Sequence, residues 1–159
     1  KLGVDATTKA TTLPLTPFDR EQAEALAVQL TAKDPHIKAA ACYDAALVVA
    51  LAKDRPKSAE TIVETLFSLP SCAFARVIVV IDEGLNPADP SLVAWKIFNN
   101  IDAKRDIFFA ATDAMGRIGV DATKKLPIDG HTRPWPNDIV MTDSVKANVS
   151  ERWQSYGLD

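Results

Sequence analysis

Val77-Ile78-Val79-Val80-Ile81, followed at once by Asp82-Glu83-Gly84, decides the fold of this chain. Five consecutive β-branched residues are crowded in a helix and fit a pleated strand, and an unbroken apolar run marks a strand covered on both faces. The acidic pair and the glycine then end it in a turn. Upstream, Leu47-Val48-Val49-Ala50-Leu51 is a second such run, stopped by Asp54-Arg55-Pro56-Lys57. Between the two strands, Ser58 is placed to cap a helix whose Ile62, Val63, Leu66 and Phe67 share one face. Downstream, Asp89-Pro90 opens another helix carrying Leu92, Val93, Trp95, Lys96, Ile97 and Phe98, with Trp95 and Phe98 expected in the core. Asp106-Ile107-Phe108-Phe109-Ala110 reads as a third strand. Strand, helix, strand, helix, strand predicts right-handed crossovers and an α/β fold, a three-layer α/β/α sandwich with a mainly parallel sheet.

The flanks complete this layout. Thr16-Pro17-Phe18-Asp19 starts an amphipathic helix with Ala23, Leu26, Ala27 and Leu30 on one side, and Thr142 caps a last helix bearing Val145, Val149 and Trp153. Both are expected to cover the remaining sheet surface. Pro127, Gly130, Pro134 and Pro136 keep residues 126–138 irregular, and residues 1–15, rich in Thr, read as an extended lead-in.

The 159 residues are enough for one domain with a real core, and 47% hydrophobic with 25% charged residues excludes wholesale disorder. A net charge of −3 provides no basic excess for counterion release, so nucleic acid is not an expected partner. No apolar run approaches the roughly 20 residues that cross a bilayer. Cys42 and Cys72 are too few for a disulfide scaffold and read as reduced, buried thiols of a cytoplasmic protein. His36 and His131 have no ligand spacing to another His or Cys, so no metal site is expected. The chain contains no Gly-x-Ser-x-Gly, P-loop, Gly-x-Gly-x-x-Gly or Cys-x-x-Cys pattern.

The polar candidates each carry two readings. Asp82 and Glu83 sit where open α/β sheets bind ligands, at the carboxyl end of a strand, or they form a turn and cap a helix. Asp121, Thr123 and Lys124 are a polar anchor near a ligand or interface, or a self-bonded turn. Arg133 can pair with a carboxylate or phosphate, or stack on Trp135 and pin a proline-rich loop.

One internal echo stands out. Lys1-Leu2-Gly3-Val4-Asp5-Ala6-Thr7-Thr8-Lys9 recurs as Arg117-Ile118-Gly119-Val120-Asp121-Ala122-Thr123-Lys124-Lys125, with conservative exchanges at the first two positions and Thr8 in place of Lys124. An offset of one domain length points to a duplicated module, with residues 1–15 as the tail of a preceding domain and 16–159 as this one. The chain opens on Lys1 and is expected to be cut from, or part of, something longer.

The second of these nonamers, followed by Asp129-Gly130-His131-Thr132-Arg133-Pro134-Trp135-Pro136, resembles the C-terminal signature of the UbiD-type carboxy-lyases. So do Arg76-Val77-Ile78-Val79-Val80-Ile81-Asp82 with Trp95, and Asn99-Asn100-Ile101-Asp102-Ala103-Lys104-Arg105-Asp106. The resemblance covers about residues 42–153, and the echo makes the chain most similar to the long menaquinone-biosynthesis members. It implies a domain of a decarboxylase acting on aromatic or unsaturated acids, in menaquinone or ubiquinone biosynthesis. The parent enzyme would use prenylated FMN, a divalent metal and a monovalent cation. Its catalytic Arg and Glu and its metal-binding Glu would lie upstream, so this domain alone would bind no cofactor and be inactive. The resemblance further implies that Arg76 and Lys124 face the cofactor, and that the partners are the upstream domains and further copies of the chain. The alternative is a non-catalytic ligand-binding or regulatory module derived by duplication. In one place the chain departs from the pattern: only residues 111–116 separate the 106–110 strand from the Gly-x-Asp-Ala-Thr element, a shorter stretch than family members usually have.

Overall fold

The computed structural model describes residues 20–110 and 116–157. Helix α1 (Arg20–Lys33) precedes a hairpin of β1 (Ile37–Tyr43) and β2 (Ala46–Leu51), and α2 (Ser58–Ser68) leads to β3 (Val77–Asp82). Helices α3 (Pro90–Asn100) and α4 (Ala103–Asp106) come next, with β4 (Ile107–Phe109), β5 (Ile118–Asp121) and α5 (Asp143–Glu151) completing the order. The Thr16 cap lies outside the described residues.

One five-stranded mixed sheet runs in the order β1-β2-β3-β5-β4. Its centre, β2-β3-β5, is parallel, and the two edge strands are antiparallel to their neighbours. The alternation along β2 and β3 explains the apolar runs. Leu47, Val49, Leu51, Ile78 and Val80 face the layer that includes Leu26 and Leu30 of α1 and Ile62, Val63 and Leu66 of α2. Val48, Ala50, Val79 and Ile81 face the opposite layer with Val93 and Ile97 of α3. The chain is thus an α/β sandwich of three layers, with buried β-branched strands as its middle.

Several local expectations are revised. The third parallel strand is Ile118–Asp121, and the 106–110 run supplies instead α4's last residue and a three-residue antiparallel edge strand. The β1 hairpin arm was not anticipated, because Ile37-Lys38-Ala39-Ala40-Ala41-Cys42-Tyr43 lacks a β-branched run. Asp44 makes its two-residue turn with φ +39°, a conformation that Asp tolerates. Ser58 is not the N-cap of α2. Lys57 occupies that position, and the Ser58 hydroxyl donates to the Arg55 carbonyl at 2.6 Å. Asp89 does cap α3, accepting from the Ser91 and Leu92 amides at 3.0 Å each. Thr142 caps α5 through the Val145 amide.

Trp95 and Phe98 are not in the core: Phe98 is 80% exposed, because α3 turns Val93, Lys96 and Asn100 inward. Helix α5 does not cover the sheet. It buries none of its residues, and Val145, Val149 and Trp153 stay exposed. Cys72 is buried and Cys42 half-buried, and both are free thiols.

Candidate functional site

The carboxyl ends of β2, β3 and β5 meet at one edge of the sheet, and the chain leaves that edge after β2 at Lys53, after β3 at Asp82 and after β5 through residues 121–125. What collects there is a set of buried lysines, each met by aspartates. Lys53 donates to the Thr123 hydroxyl at 3.0 Å and the Lys124 carbonyl at 2.9 Å, and pairs with Asp129. Lys125, 2% exposed, donates to the Asp121 and Thr123 carbonyls at 2.8 and 2.9 Å. Its ammonium also lies 3.1 Å from the Asp121 carboxylate and 3.5 Å from that of Asp106. Lys96, fully buried, reaches both carboxylate oxygens of Asp138 at 2.9 and 2.8 Å. Such charges stay inside only because each is paired and hydrogen-bonded.

The expected residues fall into two groups. Asp82, Asp121, Thr123 and Lys124 are brought together. Asp121 accepts from the Thr123 amide at 3.0 Å and from its hydroxyl, and the Lys124 amide donates to Asp82 Oδ1 at 2.8 Å. Asp82 Oδ2 is buried with no hydrogen-bond partner among the described residues, 4.0 Å from the Lys96 ammonium. Burial raises the Asp82 pKa, and the Lys124 amide and the nearby ammonium groups offset part of that rise. Hydrogen bonding from Lys96 holds Asp138 below the usual carboxylate range.

The other candidates lie elsewhere. Glu83 is exposed on the turn after β3. Arg133 is exposed, and the ring that meets Trp135 edge-on, at 5.3 Å, is His131. Arg76 sits before β3, where its carbonyl accepts from the Ile118 amide, at the opposite end of the strand from Asp82 and Lys124. A six-residue strand is about 17 Å long, so Arg76 and Lys124 lie at opposite ends of the sheet. Lys124 Nζ is directed at Asp138, 3.7 Å away.

Beside the buried lysines lies a cavity of about 510 Å³. Its walls include Lys57 and Glu60 at the start of α2, Lys104 and Arg105 of α4, Phe108, and the Asp121–Lys125 pair. It opens one strand over from Asp82, at β5 and β4. Among the described residues no three His, Cys, Asp or Glu side chains gather as a metal-ligand set.

Lys53, Lys96, Lys125, Asp106, Asp129 and Asp138 were not singled out from the sequence. For Lys96 a signal existed: Val93, Lys96, Ile97 and Asn100 share one helical face, so a lysine at the second of these positions is buried whenever the other three are.

The chain is an α/β sandwich whose sheet edge is closed by lysines and aspartates bonded to one another. Residues 21–122 match the family described as the 3-octaprenyl-4-hydroxybenzoate carboxy-lyase C-terminal domain, and the chain belongs to that UbiD family. An uncharacterised protein of Aquifex aeolicus is 31% identical over 138 residues, a match covering 79% of this chain and 28% of that protein. One from Synechocystis is 30% identical over 127 residues, covering 71% and 25%. The chain therefore spans about a quarter of the length of these relatives. Among solved structures, vanillic acid decarboxylase of Sedimentibacter hydroxybenzoicus superposes with a TM-score of 0.62 at 14% identity, over 87% of this chain and 33% of that one. The UbiD-class enzyme HmfF of Pelotomaculum thermopropionicum, an evolved dimeric form in complex with prFMN, gives 0.60 at 17% identity, over 79% and 28%. These two likenesses show the shared fold.

Proposed function

We propose that this chain is the C-terminal domain of a UbiD-type decarboxylase of an aromatic or unsaturated carboxylic acid, in menaquinone or ubiquinone biosynthesis in the cytoplasm. In the parent enzyme the domain serves assembly or closure over an active site built by upstream domains that carry the prenylated FMN and the divalent metal. It does not turn over alone. The observation that carries this reading is the consumption of the motif's own polar groups: Asp121, Thr123 and Lys125 bond to one another instead of presenting a free acid, base or nucleophile. The C-terminal arm supports the assembly role, because Ile139 (83% exposed), Val140, Met141 and the apolar side of α5 stay exposed among the described residues.

The 510 Å³ cavity favours a second reading, a regulatory or ligand-binding module. One titration separates them: the isolated chain with prenylated FMN, with FMN as control, followed by flavin fluorescence with Mn²⁺ present. The first reading expects no saturable binding, and expects the parent enzyme to change oligomer size or turnover when this domain is deleted. Saturable binding by the chain alone would replace it with the second.

A further inference from the structure

The two carboxylates that face Lys96 belong to different parts of the molecule. Asp82 is the last residue of β3, in the centre of the sheet, whereas Asp138 lies on the extended segment that leads out to Ile139, Val140, Met141 and α5. Lys96 is committed to Asp138, at 2.8 and 2.9 Å. Asp82 Oδ1 is fixed by the Lys124 amide, yet its Oδ2 is buried, unpartnered among the described residues, and 4.0 Å from the same ammonium. A lysine side chain has four torsions, and a shift of about 1.2 Å would bring the ammonium from the printed 4.0 Å to the 2.8 Å it now keeps with Asp138. An unpaired buried ammonium is strongly disfavoured, so a domain that releases Asp138 without a substitute acceptor would be penalised at its core.

We propose that Lys96 is a two-position clip for the C-terminal arm: it holds Asp138 while the arm is seated and passes to Asp82 when the arm lifts. The arm then leaves and returns without stranding a buried charge, and the domain stays folded in both positions. Lys124, half-exposed and 3.7 Å from Asp138, turns to solvent when the arm leaves and needs no substitute partner. Lys53 is held by Thr123, Lys124 and Asp129 and takes no part. The clip does not depend on what the arm docks against, so it stands or falls apart from the assembly reading.

The test uses Asp138→Asn, Asp82→Asn and the double variant of the 159-residue chain. Three quantities are followed: backbone NMR order parameters over residues 136–141 around Asp138, the titration of the Asp82 carboxyl, and urea unfolding. D138N is expected to fold, its arm dropping from about 0.85 to below about 0.6 in order parameter, while the Asp82 carboxyl titrates lower than before because Lys96 has joined it. D82N is expected to leave the arm seated. The double variant should be destabilised roughly tenfold or more in unfolding equilibrium constant beyond the product of the single effects. The proposal is overturned if D138N does not fold, if its arm stays ordered, if the Asp82 titration does not move, if the arm is already mobile with Asp138 in place, or if the two substitutions are simply multiplicative.

Discussion

Lys124 and Lys125 are adjacent, identical in charge, and predicted to differ sharply when each is replaced by Met. Methionine keeps most of the lysine volume, so neither change opens a large cavity, and the comparison isolates the ammonium group. Lys125 is 2% exposed and holds two carbonyls and two carboxylates at distances between 2.8 and 3.5 Å. Removing one member of a buried ionic cluster costs about 3–5 kcal/mol. Asp106 keeps the Arg105 guanidinium at 2.7 Å and the Asp102 amide at 2.7 Å, which places the expected loss at the lower end. Lys124 has a side chain 36% exposed and a single ion pair at 3.7 Å, an arrangement worth about 0–1 kcal/mol after solvent screening. With an m-value near 2 kcal/mol/M, Lys125→Met should lower the urea midpoint by about 1.5 M and Lys124→Met by less than about 0.5 M. Equal shifts, or a larger loss for Lys124→Met, would refute the view that the motif is spent on holding the sheet edge together.

Three further outcomes follow from the same packing. A Cβ added at Gly119 would meet the Phe108 ring at 2.7 Å or closer and Val63 Cγ1 at 2.8 Å, so Gly119→Ala should cost about 1–3 kcal/mol in thermal unfolding. Because Phe108 lies on an edge strand, adding Phe108→Leu should recover part of that loss. Asp89→Ala removes the carboxylate oxygen that accepts from two amides at the start of α3 and should cost about 1 kcal/mol by the same measurement, with no change in the far-UV spectrum beyond α3. Burial pushes the Cys42 thiol from 9.0 up to about 11. The unfolded chain therefore releases that proton first as pH rises, and the Cys42 contribution to stability should fall between pH 9 and 11, a slope that Cys42→Ala reduces in melting curves while burial of Cys72 and Tyr43, whose pKa values are also raised, keeps the rest.

The strands of the middle layer were legible because burial on both faces leaves only one kind of sequence, and Val77–Ile81 and Leu47–Leu51 have it. The cap at Asp89 was legible for a local reason, a carboxylate one residue before Pro90. Strand β5 was not, because Gly119 and Asp121 are poor strand formers taken alone. Gly119 is tolerated by the Phe108 ring that fills its missing side chain, and Asp121 by its bonds to Thr123, contacts that exist only after the sheet has formed. Helix α5 misled for the opposite reason: its apolar spacing is real, but nothing in the sequence says whether such a face meets this domain's sheet or something outside it. At the candidate site Asp121, Thr123 and Lys124 were visible as a cluster along the chain. The lysines that organise it come from three separate elements, and only the fold brings them to one edge.

That edge also bears on why the nonamer occurs twice. In the second copy, Val120 and Ala122 are buried, Thr123 is fully buried, Asp121 bonds to Thr123, Lys125 closes on the carbonyls of both, and Gly119 leaves room for Phe108. The Ala122 carbonyl takes the Asn100 amide at 2.9 Å. These six positions are the ones that the first copy repeats as Gly3, Val4, Asp5, Ala6, Thr7 and Lys9. The seventh, Lys124, is the one whose side chain points out of the cluster to Asp138, and there the first copy has Thr8. A ligand-binding motif would be expected to repeat the group that reaches outward and to let the scaffold vary. In the described copy the six identical positions are the ones held by the sheet edge, whereas Lys124, one of the three that differ, reaches out of the cluster to Asp138.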